Sequence, residues 1–325
     1  MIEPITDSDS KESYVDYIGS IPFLLMHFAA LAVVFTGFSW PGVFVALALY
    51  FLRMLAITGV YHRYFSHRSY KTSRWFQFVL AMWGTSAVQK GPLWWAAHHR
   101  HHHRHSDTDK DIHSPGLHGI WWAHIGWITT TKWNKTNYDS IKDFSKYPEL
   151  RWLNRQHLVA PVLLGLAVFG LGIGMEHTGT LGLAAAHPWL ATTATQMLVL
   201  GFFVSTVVLY HGTFCINSFA HLIGRKRYKT GDDSKNSLIL ALITLGEGWH
   251  NNHHYYPGSE RQGFFWWEID ITHYCLKALS WLGLVWDINT PAPKVLALGA
   301  QGNIHDAMAM AAPAIPGATL EDAAD

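Results

Sequence analysis

Histidine stands in three clusters whose spacings suit metal ligation. His62 and His67 lie five apart, His98-His99-Arg100-His101-His102-His103 forms a second cluster, and His250-Asn251-Asn252-His253-His254 a third. A buried imidazole demands a hydrogen-bond partner, so a packed core holds few, and this crowding points to metal chemistry. Positions i, i+3 and i+4 of a helix share one face. His99, His102 and His103 have that spacing, and so do His250, His253 and His254. His62 and His67 diverge by about 140° on a regular helix of 3.6 residues per turn, which suits two ions better than one. His221 brings the candidates to nine, more than one six-coordinate ion or a four-coordinate zinc can use. Two ions are the economical count.

Imidazole suits zinc, copper, iron and nickel, and iron is favoured where the task is oxygen chemistry, because zinc has no redox activity. The clusters hold no carboxylate in ligand position. Asp107, Asp109, Asp111 and Glu247 stand close by and read as acceptors for ligand N–H groups. Asn217 could hold an ion directly or through water. His101 falls off the shared face, and His98, His105 and His113 lack the spacing. His27 reads as a satisfied polar residue inside an apolar stretch, and Trp94 and Trp95 as packing residues.

The elements that position these residues follow from composition. The chain has 325 residues, 49% hydrophobic and 14% charged, about half the charge of an average soluble domain. Apolar stretches at 21–38, 43–60, 158–175 and 189–210 each approach the ~20 residues needed to cross a bilayer. The first follows an acidic, polar segment of about twenty residues rather than a short basic region, so it is expected to stay as an anchor. Fourteen Lys and Arg fall between His62 and Arg155 and eight from Arg225 onward, while the connections 39–42 and 176–188 have none. By the positive-inside tendency the active site and both termini face the cytoplasm. The net charge of +1 gives no indication of a nucleic-acid partner.

Phe76 to Val88 is too short to span, and His118 to Thr130 and Phe264 to Trp286 are Trp-rich but broken by polar residues. These read as a cap lying against the membrane. The stretch from Trp189 has no proline before His221 and is expected to run on as one helix of about 33 residues, roughly 50 Å long. Cys215 and Cys275 read as two buried, reduced residues. The expected organisation is an all-α integral membrane protein: a cytoplasmic N-terminal segment at 1–20, a membrane domain at 21–290 with four transmembrane helices and a cytoplasmic helical cap, and a low-order C-terminal tail at 291–325.

The chain resembles the histidine-box membrane fatty acid desaturases, and within them the acyl-CoA delta-9 (stearoyl-CoA type) branch. The matching segments are His62-Arg63-Tyr64-Phe65-Ser66-His67, His99-Arg100-His101-His102-His103 followed by Ser106-Asp107-Thr108-Asp109, Asn217-Ser218-Phe219-Ala220-His221, and Gly246-Glu247-Gly248-Trp249-His250-Asn251-Asn252-His253-His254. They keep the family's order, and the likeness covers roughly residues 21–290.

The resemblance implies a di-iron site of two iron ions on the cytoplasmic side. His62, His99, His102 and His253 would hold one; His67, His103, His221, His250 and His254 the other, with Asn217 bound through water. It further implies O2-dependent desaturation of a long-chain acyl-CoA, or another acyl carrier, inserting a cis double bond at the delta-9 position. Ala97-His98 stands where animal members carry Arg-Asp, so no headgroup contact transfers to that pair. Neither terminal segment has a haem motif, and electrons are expected from a separate donor such as ferredoxin, rubredoxin or cytochrome b5 with a reductase. Thr58, Leu55 and Phe51 share a face with His62 and are expected to set where the acyl tunnel ends.

Two rivals remain. A di-iron hydroxylase of an alkane or lipid would use the same chemistry. A metal transporter or sensor is disfavoured, because transporters place coordinating groups near the bilayer midplane and only His27 lies well inside a span.

Overall fold

The computed structural model describes residues 15–180 and 182–301. The fold is mostly helical, and among the described residues the one sheet is the two-residue antiparallel pair Lys71–Thr72 with Val285–Trp286. Among the described residues, four helices are long and apolar enough to cross a membrane: Tyr17–Thr36, Trp40–Ser66, Val159–Gly179 and Ala194–Phe219. These are called the first to fourth spans.

Capping residues set where the spans begin. Ser39 accepts a hydrogen bond from the Gly42 amide and Pro41 pre-sets the first turn, so the second span starts at Trp40. Thr193 and Gln196 form a reciprocal capping box. The fourth span therefore starts at Ala194, and Trp189 belongs to the separate 3₁₀ turn Pro188–Leu190. The expected 33-residue helix is thus replaced by one of 26 residues that ends at Phe219, just short of His221.

Two of the spans change pitch. Ala56–Ser66 and Met197–Val204 are π-helical, with i→i+5 hydrogen bonds in place of i→i+4. Small residues let the spans approach one another, as is common between membrane helices. A side chain on Gly201 would meet Val45 and Val168, and one on Gly172 would meet Ala194 and Met197. Arg53 is buried between the second and fourth spans, donating to Leu49 O, Thr206 Oγ1 and Ser205 Oγ. In an apolar environment such a group persists only when its donors are paired.

The remaining helices pack over one end of the second span. Tyr61, Phe65, Leu80, Leu93, Leu150 and Leu153 form the main core, joining that span to Arg74–Thr85, Pro92–His105 and Pro148–Arg155. Arg63 is fully buried against Glu247, Glu260 and Asp270, which ties the second span to the loops around the third histidine cluster. Trp266 and Trp281 are 82% and 77% exposed.

Two expectations need correction. Residues 293–301 are helical, and Val295 is buried with Tyr228 and Phe264, so the tail is ordered at its start. Residues 1–14 and 302–325, parts of the expected terminal segments, lie outside the described residues. Cys215 and Cys275 are free but only half-buried.

Candidate metal centre

Each histidine cluster is held by a different local device. The Pro92–His105 helix begins at Gly91, which packs so closely on Asn154 that a side chain there would collide with it. The Asn154 side chain accepts from the Trp94 amide over 2.8 Å. The His250–Tyr255 helix is anchored by its own two asparagines. Asn251 Oδ1 accepts from the amides of Arg227 and Tyr228, both at 2.7 Å, while Asn252 Nδ2 donates to Gln262 O and Glu268 Oε2. Leading into it, Gly246 takes a φ of +128° and lies against Asp270, a place open only to glycine.

These elements gather the nine histidines into two adjacent groups. His62, His67, His99, His103 and His253 form one; His102, His221, His250 and His254 form the other, with potential ligand atoms within 4.8 Å of one another in each. In the first, Nε2 atoms face each other across 3.0 Å between His62 and His253, 2.9 Å between His67 and His99, and 2.9 Å between His103 and His253. In the second, His221 and His250 approach to 3.1 Å.

The grouping differs from the one the resemblance implied, which set His102 with His62, His99 and His253, and His67 and His103 with the others. Helix geometry supplies the reason. His99 and His103 stand one turn apart and point the same way, while His102 is rotated towards the second group. The third cluster repeats the fork with the groups exchanged: His250 and His254 go together and His253 goes across. His62 and His67 do not diverge, because the π-helical segment ends with the His67 amide bonded to the His62 carbonyl at 3.2 Å. An i→i+5 bond brings residues five apart onto one face.

Carboxylates fix the outer nitrogens. His102 Nδ1–H donates to Asp111 over 2.9 Å, His221 Nδ1–H to Asp107 over 2.7 Å and His254 Nδ1–H to Asp232 over 2.6 Å; His62 Nδ1 lies against Glu247. Such contacts set the tautomer and aim Nε2 inward. Asp109 is exposed and takes no part. Asp232 and Gln262, whose amide nitrogen is 3.2 Å from His62 Nδ1, went unnoticed in the sequence because they lie on loops with no fixed spacing to any histidine.

Electrostatics favour neutral rings. Burial, then the neighbouring imidazoles, pull His67, His99, His103, His250 and His253 well below the ordinary histidine value. Burial brings His254 down to about 4 against the opposing pull of Asp232. Burial pushes Asp107, Asp111 and Asp232 up, but their histidine partners outweigh it and hold each carboxyl well below its usual range. Neutral imidazole is the form that binds metal.

The buried Nε2 atoms of His102 and His254 and the Nδ1 atoms of His250 and His253 have no hydrogen-bond partner. Unpartnered buried nitrogens in an all-imidazole setting fit metal ions. Of the other histidines, His113 stacks on His102 at 4.2 Å and comes within ligand reach of it and of Asp111. His98 donates to the Trp94 carbonyl, and His101 pairs with the Lys110 carbonyl.

Two cavities meet beside the first group. The larger, about 260 Å³, is walled by Phe23, Trp94, Trp95, Ile112 and Phe214 and reaches Gly19 and Leu158 at the first turns of the first and third spans. The smaller, about 40 Å³, is lined by Met54, Ile57, Thr58 and Thr244. Trp95, His99, Thr213 and Asn217 border both. Trp94 and Trp95 are thus cavity walls as well as packing residues. Of the three tunnel-end candidates only Thr58 lines a cavity; Leu55 packs on the core and Phe51 is 48% exposed.

The profile of the fatty acid desaturase family matches residues 38–282. The sn-1 stearoyl-lipid 9-desaturase of Anabaena variabilis is 35% identical over 287 residues, covering 87% of this chain and 97% of that protein. Delta-9 acyl-lipid desaturase 1 of Arabidopsis thaliana is 33% identical over 290 residues, 87% of each chain. The acyl-CoA C20 Delta5-desaturase of Anemone leveillei is 36% identical over 264 residues, 78% of this chain and 76% of that one. With the histidine groups, the apolar spans and these likenesses together, the chain belongs to the fatty acid desaturase family.

Proposed function

We propose that this protein is a membrane di-iron desaturase that inserts a cis double bond at carbon 9 of a long-chain acyl group, with CoA as the carrier and with its metal centre and both termini on the cytoplasmic side. The observation that carries the reading is the pair of histidine groups, five and four strong, opening onto an apolar cavity. Residues 21–290 act as the catalytic unit, with the helices outside the spans as its cap.

His62, His67, His99, His103 and His253 would hold one iron and His102, His221, His250 and His254 the other, with Asn217 at the cavity side. Bound iron supplies O2 activation and the redox chemistry. The chain's residues do the rest. Asp107, Asp111, Asp232 and Glu247 keep the imidazoles oriented, and Phe23, Trp94, Trp95 and Phe214 exclude water from the acyl chain. Gln89, donating to Thr213 over 3.0 Å and accepting from Trp95 over 3.4 Å, braces the wall where the two cavities meet. Regioselectivity is then positional: the distance from the cavity mouth to the histidines selects the carbon pair. Overall, two hydrogens leave the acyl chain, and with O2, two electrons from a separate donor and two protons they yield two waters.

A second carrier is favoured by one observation. The larger cavity is lined by Gly19 and Leu158, where the first and third spans begin and membrane lipid would be within reach, and the Anabaena and Arabidopsis relatives are named acyl-lipid enzymes. Expression in cells followed by gas chromatography–mass spectrometry decides the chemistry: a product two mass units lighter, unsaturated at carbon 9, is expected. A product heavier by one oxygen would replace desaturation by hydroxylation. Supplying the purified protein with acyl-CoA or with acyl-lipid, plus donor, separates the carriers.

A further inference from the structure

Three more histidines lie together, away from the metal groups. His27 of the first span, His211 of the fourth and His124 of the Ile120–His124 helix are linked in series, and His124 also lies within hydrogen-bond reach of the Phe214 carbonyl. His27 Nε2 is 3.3 Å from His211 Nε2, and His211 Nδ1 is 3.0 Å from His124 Nε2. Both ends are fixed. His27 Nδ1–H donates to the Phe23 carbonyl over 2.8 Å; His124 Nδ1 is 2.9 Å from Ser218 Oγ, whose hydroxyl donates to the Phe214 carbonyl over 3.0 Å. The nitrogens are strung in a line rather than converging on a point, unlike those of the metal groups.

Counting hydrogens gives the chain its property. A carbonyl only accepts, so five contacts in series need five hydrogens, whereas three neutral imidazoles and one hydroxyl supply four. In the neutral chain Ser218 must abandon Phe214 for His124, or one ring contact goes without its hydrogen. One added proton, held as a second N–H on the central His211, completes all five.

We propose that His27, His211 and His124 form a proton-binding site that takes up one excess proton and thereby fastens the first span to the fourth. The first span is the least buried of the four, so few other contacts hold it. It also walls the larger cavity through Gly19, Ser20, Pro22, Phe23 and Met26. Phe23 and Phe214, whose carbonyls end the chain, both line that cavity. The longest contact is the one joining His27 to His211, so the proton acts where the first span is attached.

The surroundings offer the proton no other home. On the fourth span the Tyr210 ring lies 6.3 Å from that of His27, and Cys215 lies beside Tyr50 instead. Before the helix of His124, the Pro115–His118 helix carries His118, whose ring lies tilted against Trp122. The Gly126–Thr129 turn adds none, and among the described residues no carboxylate, lysine or arginine contacts the three. Burial lowers His124 below the ordinary histidine value, which places uptake on the acid side of about 6.5.

The test is hydrogen–deuterium exchange of the first span in metal-loaded protein in lipid nanodiscs, from pH 5 to 8, corrected for intrinsic exchange. Wild type is expected to show one transition below about pH 6.5, with protection rising about ten-fold as pH falls, the factor one charge-assisted hydrogen bond carries. His211→Phe should abolish it. His27→Phe, a change on a mostly lipid-facing helix, cuts only the first-span link and should also abolish it, which keeps the test decisive if His211→Phe does not fold. A wild type without the transition, or variants that retain it, would overturn the proposal. None of these outcomes depends on the reaction catalysed.

Discussion

The backbone amide of His67 bonds to the carbonyl of His62, a step of five residues where an α-helix takes four. That bond turns both rings towards the same group of histidines. Deleting Ile57 from the π-helical segment would return it to α-helical pitch and rotate His62 and His67 by about 100° relative to the spans above. Iron content, measured by mass spectrometry of the purified protein, should then collapse while membrane insertion is kept. Retained iron would mean that the π-helical pitch does not matter.

Asp232 and Asp109 separate by location rather than by charge. Asp232→Ala leaves His254 Nδ1–H without its acceptor and should weaken iron affinity by about 10- to 100-fold in competition with a chelator. Asp109→Ala, on the exposed side of the same region, should leave affinity unchanged.

Thr58 lines the smaller cavity, and its hydroxyl is 2.7 Å from that of Thr272. Thr58→Leu should shorten the acyl chains accepted, seen as a shift in product length by gas chromatography. Phe51→Ala, facing outward, should not alter the profile.

Among the described residues, Arg63 is the one guanidinium that pairs with all three of the buried carboxylates Glu247, Glu260 and Asp270. Arg63→Met leaves them uncompensated and should cost about 3–5 kcal/mol, read as loss of folded protein or a large fall in Tm. Arg74→Met, which removes an exposed arginine from its pair with Glu149, should leave Tm nearly unchanged.

The metal-free protein should lose stability in acid. Burial holds His98 and His254 at about 4, against about 6.5 for the unfolded chain. Between these values the unfolded state binds more protons, so stability is full above about pH 6.5 and falls as pH drops towards 4. The loss is of order 3 kcal/mol per group, measurable as a declining Tm. A flat Tm over that window would show that these rings titrate normally.

Much of the architecture was legible in the chain. The four spans follow from composition, because crossing a bilayer demands a long uncharged run and little else satisfies that demand. Their ends were less legible, since Ser39, Thr193 and the π-helical segments act through local hydrogen bonds that hydropathy does not register. The nine histidines were visible by spacing; their division between two ions came from the family resemblance, and the side-chain grouping in the structure departs from it, in part because the spacing of His62 and His67 was read at α-helical pitch. Asp232 was hidden by its distance in sequence from His254. Trp94 and Trp95 were misjudged for another reason: a side chain that packs and one that walls a cavity have the same chemistry. Val295 looked like part of a loose tail because its burial depends on Tyr228, far away in the chain.

The fork in the two histidine helices carries one more consequence. His102 leaves the direction of His99 and His103, and His253 leaves that of His250 and His254, so each short helix is gripped from two sides. An ion held in either group would draw ligands from both helices and so prepare the neighbouring group. Metal loading is then expected to be cooperative, with little half-filled protein in a titration followed by metal content.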